Sequence, residues 1–187
     1  MKIGILGGTF DPPHFAHKEI AYRAIDQFNL EKIIFIPNGM PWQKLETSEY
    51  SKRFEMTQLL VSGESKFEVS NIENNIYEPT YTVNTLKKLN IKKPDSYYIL
   101  GADAALGIKT WMSYEKLVNF TNFLIAPRKD VSNLKINIEF PFEYELIEGE
   151  YLDISSTVAR ELFKKNKILD EIIPQNIINY IKQHQLY

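Results

Sequence analysis

The first apolar run, Lys2-Ile3-Gly4-Ile5-Leu6, is short and closes at Gly7-Gly8, which predicts a buried strand ending in a tight loop. A helix follows. Asp11 suits an N-cap with Pro12 at the first helical position, and Phe15, Ala16, Ile20, Ala24, Ile25 and Phe28 recur at the spacing of one helix face. Lys32-Ile33-Ile34-Phe35-Ile36 is a second strand, and strand, helix, strand implies a parallel pair. Asn38 to Tyr50 is rich in Gly, Pro and polar residues and predicts a long loop, with a helix over Ser51 to Val61 behind it. Strands are then expected at Phe67 to Ser70, Tyr97 to Leu100, Asn122 to Ala126 and Tyr144 to Ile147, with a helix over Thr80 to Leu89. The chain closes on two helices, one from Ser156 or Thr157 to about Asn166, the other from Pro174 to about Gln185.

This alternation predicts an α/β protein with a doubly wound, Rossmann-like parallel sheet and helices on both faces. Residues 1–187 read as one domain, with a small helical C-terminal part over about 156–187. Ligands of such folds sit beyond the carboxyl ends of the strands, so the loops after Leu6, Ile36, Leu100 and Ala126 are expected to hold the site. Composition narrows the chemistry. Twenty-two Lys and Arg against 24 Asp and Glu give a net charge of −2, too balanced for a general polycationic surface, so nucleic acid is not the expected partner. No apolar run approaches the ~20 residues of a bilayer span, and the start runs straight into a strand without a signal-peptide layout, so a soluble, cytoplasmic protein is expected. With no Cys in the sequence, thiolate nucleophiles, disulfides and Cys-based metal sites are excluded.

Gly7 to His17 lies where a doubly wound fold puts its ligand. Glycines alone would be a turn and lone histidines a surface feature, but this segment holds more. Pro12 and Pro13 in a first helical turn would remove two backbone N–H donors, leaving an anion to be gripped by side chains. His14 and His17 are three apart and share one helix face, and each imidazole can donate to a phosphate oxygen and carry part of a positive charge near pH 7. A metal site is the rival for such a pair, but the third histidine, His184, is remote in sequence. A redox dinucleotide fits worse, because Gly4, Gly7 and Gly8 do not spell Gly-x-Gly-x-x-Gly and the second strand ends in Pro37-Asn38 rather than an acidic residue. Near the other end, Ser155-Ser156-Thr157 reads as an N-cap before a helix with no proline in its first turn, so its N–H groups and dipole can meet phosphate, with Arg160 one turn on.

Gly7-Gly8-Thr9-Phe10-Asp11-Pro12-Pro13-His14-Phe15-Ala16-His17 and Ile154-Ser155-Ser156-Thr157-Val158-Ala159-Arg160 together resemble the nucleotidyltransferases with a His-x-Gly-His signature, and closely the bacterial nicotinate mononucleotide adenylyltransferases. Ala16 departs from the family's usual Gly. The resemblance implies that Gly7, Gly8, Thr9 and Phe10 form a substrate loop and that His14 and His17 meet the reacting phosphates. It implies that Ser155, Ser156, Thr157 and Arg160 hold the nucleotide, with Ile154 beside the adenine. Lys44 would reach the phosphates from its loop, where a lysine is otherwise a solvated surface residue. Arg53, Arg23, Arg128 and Lys129 are weaker cationic candidates. Thr80 to Leu86, Gly101-Ala102-Asp103 and Thr110-Trp111-Met112 match the same pattern, and Trp111, in isolation a core residue, would stack on nicotinate. Amides at Thr85 and Met112 would take the ring carboxylate, and Asp103 would hold a ribose or the Gly101 turn.

The reaction so implied is adenylyl transfer from ATP to nicotinate mononucleotide, with Mg²⁺ carried on ATP oxygens and held mostly by phosphate and water. Phosphate is already a nucleophile, so the protein need only align two polyanions and stabilise charge. ATP and nicotinate mononucleotide are the expected partners, and a homo-oligomer is compatible with the sequence. The rivals are a sister enzyme using nicotinamide mononucleotide or phosphopantetheine, a non-catalytic nucleotide sensor and a nucleic-acid binder.

Overall fold

In a computed structural model, residues 1–40, 47–75, 77–126, 128, 133–150, 154–167 and 169–187 are described. Six strands, β1 (Ile3–Gly8), β2 (Lys32–Pro37), β3 (Phe67–Val69), β4 (Ser96–Gly101), β5 (Asn122–Ala126) and β6 (Glu145–Leu146), make one sheet of order β3-β2-β1-β4-β5-β6. Every pairing is parallel. Because strand side chains alternate, Ile33 and Phe35 pack on one face while Ile34 and Ile36 pack on the other. Both faces are buried, which is why β2 reads as a continuous apolar run. The helices α1 (Phe15–Phe28), α2 (Tyr50–Val61), α6 (Ser156–Lys164) and α7 (Gln175–Gln183) contribute to the first core; α3 (Thr82–Leu89), α4 (Ala102–Leu106) and α5 (Asn133–Glu139) contribute to the second. Strand order reverses between β1 and β4, where the loops leaving the two strands part and open a crevice.

The expected α/β alternation is therefore the observed one, and the corrections lie at element ends. The first helix begins at Phe15, not Asp11. A residue preceding proline is pushed out of the helical region, which applies to Asp11 before Pro12 and to Pro12 before Pro13; His14 is then the extended N-cap, at φ −146° and ψ 170°. The prolines thus lie ahead of the helix and do not delete its donors. Those donors are engaged differently: Phe15 N–H bonds the Ile172 carbonyl at 3.0 Å and His17 N–H the His14 carbonyl at 3.0 Å. Likewise α3 starts at Thr82 rather than Thr80, after an extended Tyr81, and Pro174 caps α7 from outside. The short α4, α5 and the 3-10 turns at Ile108–Thr110 and Tyr114–Asn119 have too few residues to declare a period.

Candidate active site

Glycine at position 7 is a requirement of packing. A Cβ there would lie 2.3 Å from the Tyr98 hydroxyl on β4, so only a bare backbone lets β1 and that phenol share the crevice floor. Phe10 then turns the chain in the left-handed region at φ 51° with its ring buried against Phe35 and edge-on to His17 at 4.9 Å. A bulky residue in that region costs on the order of 1–3 kcal/mol and persists where the surroundings over-determine it. Arg53 supplies that constraint. Only 1% exposed, it donates from Nε to Ser48 O at 2.9 Å, from Nη1 to Thr9 O at 2.9 Å and Asn38 O at 2.7 Å, and from Nη2 to Gly39 O at 2.9 Å. One guanidinium thereby joins the loop after β1 to the loop after β2. Glu73 fastens the second loop from the other side, accepting from Gly39 N–H at 3.3 Å and from the Thr85 hydroxyl at 2.5 Å.

The two histidines stand together at the start of α1, ring centroids 3.8 Å apart and tilted by 30°. Their environments differ. His14 is 5% exposed, and burial first, with the charge of His17 second, pulls its pKa far below the ordinary imidazole range, so it is neutral in the folded protein. That corrects the expectation of a shared positive charge. Its Nδ1 has no hydrogen-bond partner among the described residues. His17 lies on the wall of the crevice, and its Nδ1 accepts from the His14 backbone N–H at 3.2 Å. An accepting Nδ1 is the lone-pair nitrogen of the ring, which puts the ring proton on Nε2.

The crevice is a cleft of about 390 Å³. Of the residues expected at the site, Gly7, Gly8, Thr9, Phe10 and His17 line it from the β1 side and Gly101, Asp103, Trp111 and Met112 from the β4 side, with Ser156 reaching in from α6. Others are not on its wall. Thr85 is buried, its hydroxyl on Glu73 and its N–H on the Tyr81 carbonyl at 3.2 Å, so that amide is already engaged. Ser155 is the N-cap of α6 and accepts from Val158 N–H at 3.2 Å. Arg160 donates to the Asp11 carbonyl at 2.6 Å and lies 3.4 Å from the Thr157 hydroxyl, and Ser156 Oγ bonds the Pro12 carbonyl at 2.9 Å, so α6 is tied to the histidine loop. Ile154 precedes that helix without lining the cleft. Lys44 and Lys129 lie outside the described residues.

Among the weaker cationic candidates, Arg53 is structural, Arg23 bonds Glu19 at 2.6 Å, and Arg128 pairs with Asp103 at the cleft edge. Two contributors were missed, Tyr98 and Glu73, which carry no local signature. Arg53 was named only as a cation, but its structural part had a signal: it falls in register with Met56, Thr57, Leu60 and Val61, so a charge occupied the buried stripe of α2. A wider hollow of about 1,070 Å³ at the β6 edge, beside Phe142 and Tyr144, contains none of the expected site residues. No helix among the described residues is long and apolar enough to cross a membrane.

Fold and cleft together define a doubly wound α/β protein with a cleft at its switch point, lined by the His17 imidazole and glycine backbone. Residues 5–162 match the cytidylyltransferase-like family. The chain is 32% identical over 188 residues to a "Probable nicotinate-nucleotide adenylyltransferase" of Leifsonia xyli, covering 100% of this chain and 94% of that one. It is 34% identical over 195 residues to a protein of the same name from Clostridium botulinum, covering 98% and 97%. Among solved structures, Plasmodium falciparum nicotinic acid mononucleotide adenylyltransferase complexed with NaAD superposes with a TM-score of 0.81 at 28% identity, covering 100% of this chain and 97% of that chain. The chain belongs to the cytidylyltransferase-like family and, through relatives similar along their whole length, to the nicotinate-nucleotide adenylyltransferases within it.

Proposed function

We propose that the protein transfers the adenylyl group of ATP to nicotinate mononucleotide, releasing nicotinate adenine dinucleotide and pyrophosphate. The observation that carries this is His17 on the cleft wall, its ring oriented by the His14 N–H on Nδ1, in a chain that matches such enzymes end to end. A phosphate oxygen of the mononucleotide attacks the α-phosphorus in line as the bond to pyrophosphate breaks. His17 donates to oxygens gathering charge in that step, and neutral His14 packs behind it and fixes its orientation. The glycine backbone at Gly7 and Gly8 lets the phosphates approach closely. Arg160 and Ser156 bring the start of α6 toward the triphosphate, Ser155 and Thr157 shape that helix start, Ile154 borders the adenine, and Lys44 adds charge from its loop. Mg²⁺ enters as part of the ATP substrate, on phosphate oxygens and water.

Trp111, edge-on to Tyr98 at 6.2 Å, offers its face to the pyridine ring, with the Met112 amide beside it for the ring carboxylate. Asp103 with its partner Arg128 borders the acceptor's ribose. The test is pyrophosphate release from ATP with nicotinate mononucleotide, nicotinamide mononucleotide and phosphopantetheine as acceptors. The acid mononucleotide is expected to be preferred, and a strong preference for either alternative would overturn the assignment around Trp111.

A further inference from the structure

The loop that carries the histidines is held from behind by residues remote in sequence. Asp11, 3% exposed, is the junction. Its Oδ1 accepts from the Tyr187 hydroxyl at 2.5 Å, its Oδ2 from Ser48 N–H at 3.0 Å, and its carbonyl from Arg160 at 2.6 Å. Three donors thus meet on one residue three positions before His14, and Phe15 N–H on the Ile172 carbonyl adds a further tether to the same end of the chain. Tyr187 is itself held in place, since Leu186 N–H bonds the Ile181 carbonyl at 3.1 Å and the Tyr187 ring stands edge-on to Phe163 at 6.4 Å. Burial and the Asp11 carboxylate both push the phenol pKa far up, so it donates at every physiological pH.

We propose that Tyr187 is a positioning residue, which through its hydrogen bond to Asp11 sets where the His14 and His17 rings stand in the cleft. An ionised carboxylate only accepts, and each Asp11 oxygen has one donor in the described structure, so removing the Tyr187 hydroxyl frees half of the group. The carboxylate then reorients, and with it the Asp11-to-His14 backbone whose placement the histidines inherit. Geometry of this kind matters disproportionately, since a displacement of about 1 Å at reacting groups can cost on the order of 10²-fold in rate.

The inference rests on His17 acting at the reacting phosphates, and the experiment separates the two ideas. Tyr187→Phe keeps ring and packing and loses only the hydroxyl. Turnover is expected to fall about tenfold with KM for both substrates within roughly twofold, because the affected contact strengthens in the transition state. In a His17→Ala background, the same substitution is expected to change turnover less than about twofold, because the group it places is gone. A role in packing alone predicts equal factors in both backgrounds, and that result overturns the proposal. So does full turnover in Tyr187→Phe, or a rise in KM alone. If His17→Ala itself turns over at the normal rate, the proposed role of the histidine fails, and histidine ring ¹H–¹⁵N signals of the unliganded protein then decide on Tyr187 independently. Shifted His14 and His17 signals in Tyr187→Phe support the positioning role, and unmoved signals refute it.

Discussion

The two walls of the cleft are built to different standards. On the β1 side, Gly7, Phe10, Asp11 and the histidines are locked by buried hydrogen bonds from Arg53, Ser48 and Tyr187 and by a glycine that no other residue can replace without meeting Tyr98. On the β4 side, Asp103 and Arg128 pair in the open and Met112 is 51% exposed. An exposed ion pair contributes about 0–1 kcal/mol, whereas a buried, satisfied network resists displacement of any member. Under the proposed function, the difference teaches where precision is needed: groups assigned to charge that develops in the transition state are pre-set, while the wall assigned to the acceptor's ring is left adaptable. His17→Ala breaks the comparison at its sharpest point. Turnover is expected to fall on the order of 10²–10³-fold, the scale of one aimed donor, with the thermal midpoint nearly unchanged because the ring sits on the cleft surface. Parallel pyrophosphate assays and thermal melts check it, and a loss of fold in place of turnover would move His17 into the scaffold.

Arg53→Ala attacks the locked wall through its frame. Four carbonyl oxygens lose their donor at once, and unsatisfied buried groups cost about 1–3 kcal/mol each where water does not replace the bond. A net loss of about 3 kcal/mol is expected, or roughly 6–12 °C in Tm at this chain length. Arg53→Lys is expected to recover little of it, because a point ammonium cannot span carbonyls that a planar fork reaches in three directions. Full stability in the lysine variant would mean that charge, and not donor geometry, holds the loops together.

The same contrast explains what could be read from the chain. Strands such as Asn122 to Ala126 were legible because burial on both faces leaves an unbroken apolar run, and α2 because its stripe repeats at helical spacing. The β1 loop and Ser156 were legible because glycines, paired histidines and an N-cap are local signals, and resemblance supplied Trp111 and Met112. What was not legible depends on contacts between distant segments. Proline and aspartate ahead of His14 look like a helix start, and only the extended His14 backbone reveals that the helix waits until Phe15. Nor does the sequence show that the Thr85 amide is taken by Tyr81, or that Arg160 turns to Asp11, since both follow from how α3 and α6 dock. Sidedness was hidden too: His14 and His17 are equivalent on a helical wheel, yet one is sealed in and the other faces the ligand space.

That last asymmetry yields the smallest effect and one with a definite sign. Burial, and behind it the charge on His17, lowers the His14 pKa far below its unfolded value of 6.5. Below about pH 6.5 the unfolded chain therefore takes up a proton at this position that the folded protein refuses, so ν_U exceeds ν_N and stability falls as pH falls. The slope approaches about 1.4 kcal/mol per pH unit once the unfolded imidazole is fully protonated, and above pH 7 the contribution is flat. His14→Asn removes the titrating group while retaining a polar side chain of similar reach. Urea unfolding at intervals from pH 7.5 to 5.0 is expected to show the two proteins running parallel down to about pH 7, then the wild type losing stability faster, with a gap that widens by roughly one proton's worth per unit. Because the other carboxylates titrate in both proteins, the difference between the curves reports His14 together with its coupling to His17. Parallel curves throughout would mean that this imidazole accepts its proton while folded, and the division of labour between a sealed, neutral ring and a ligand-facing one would have to be abandoned.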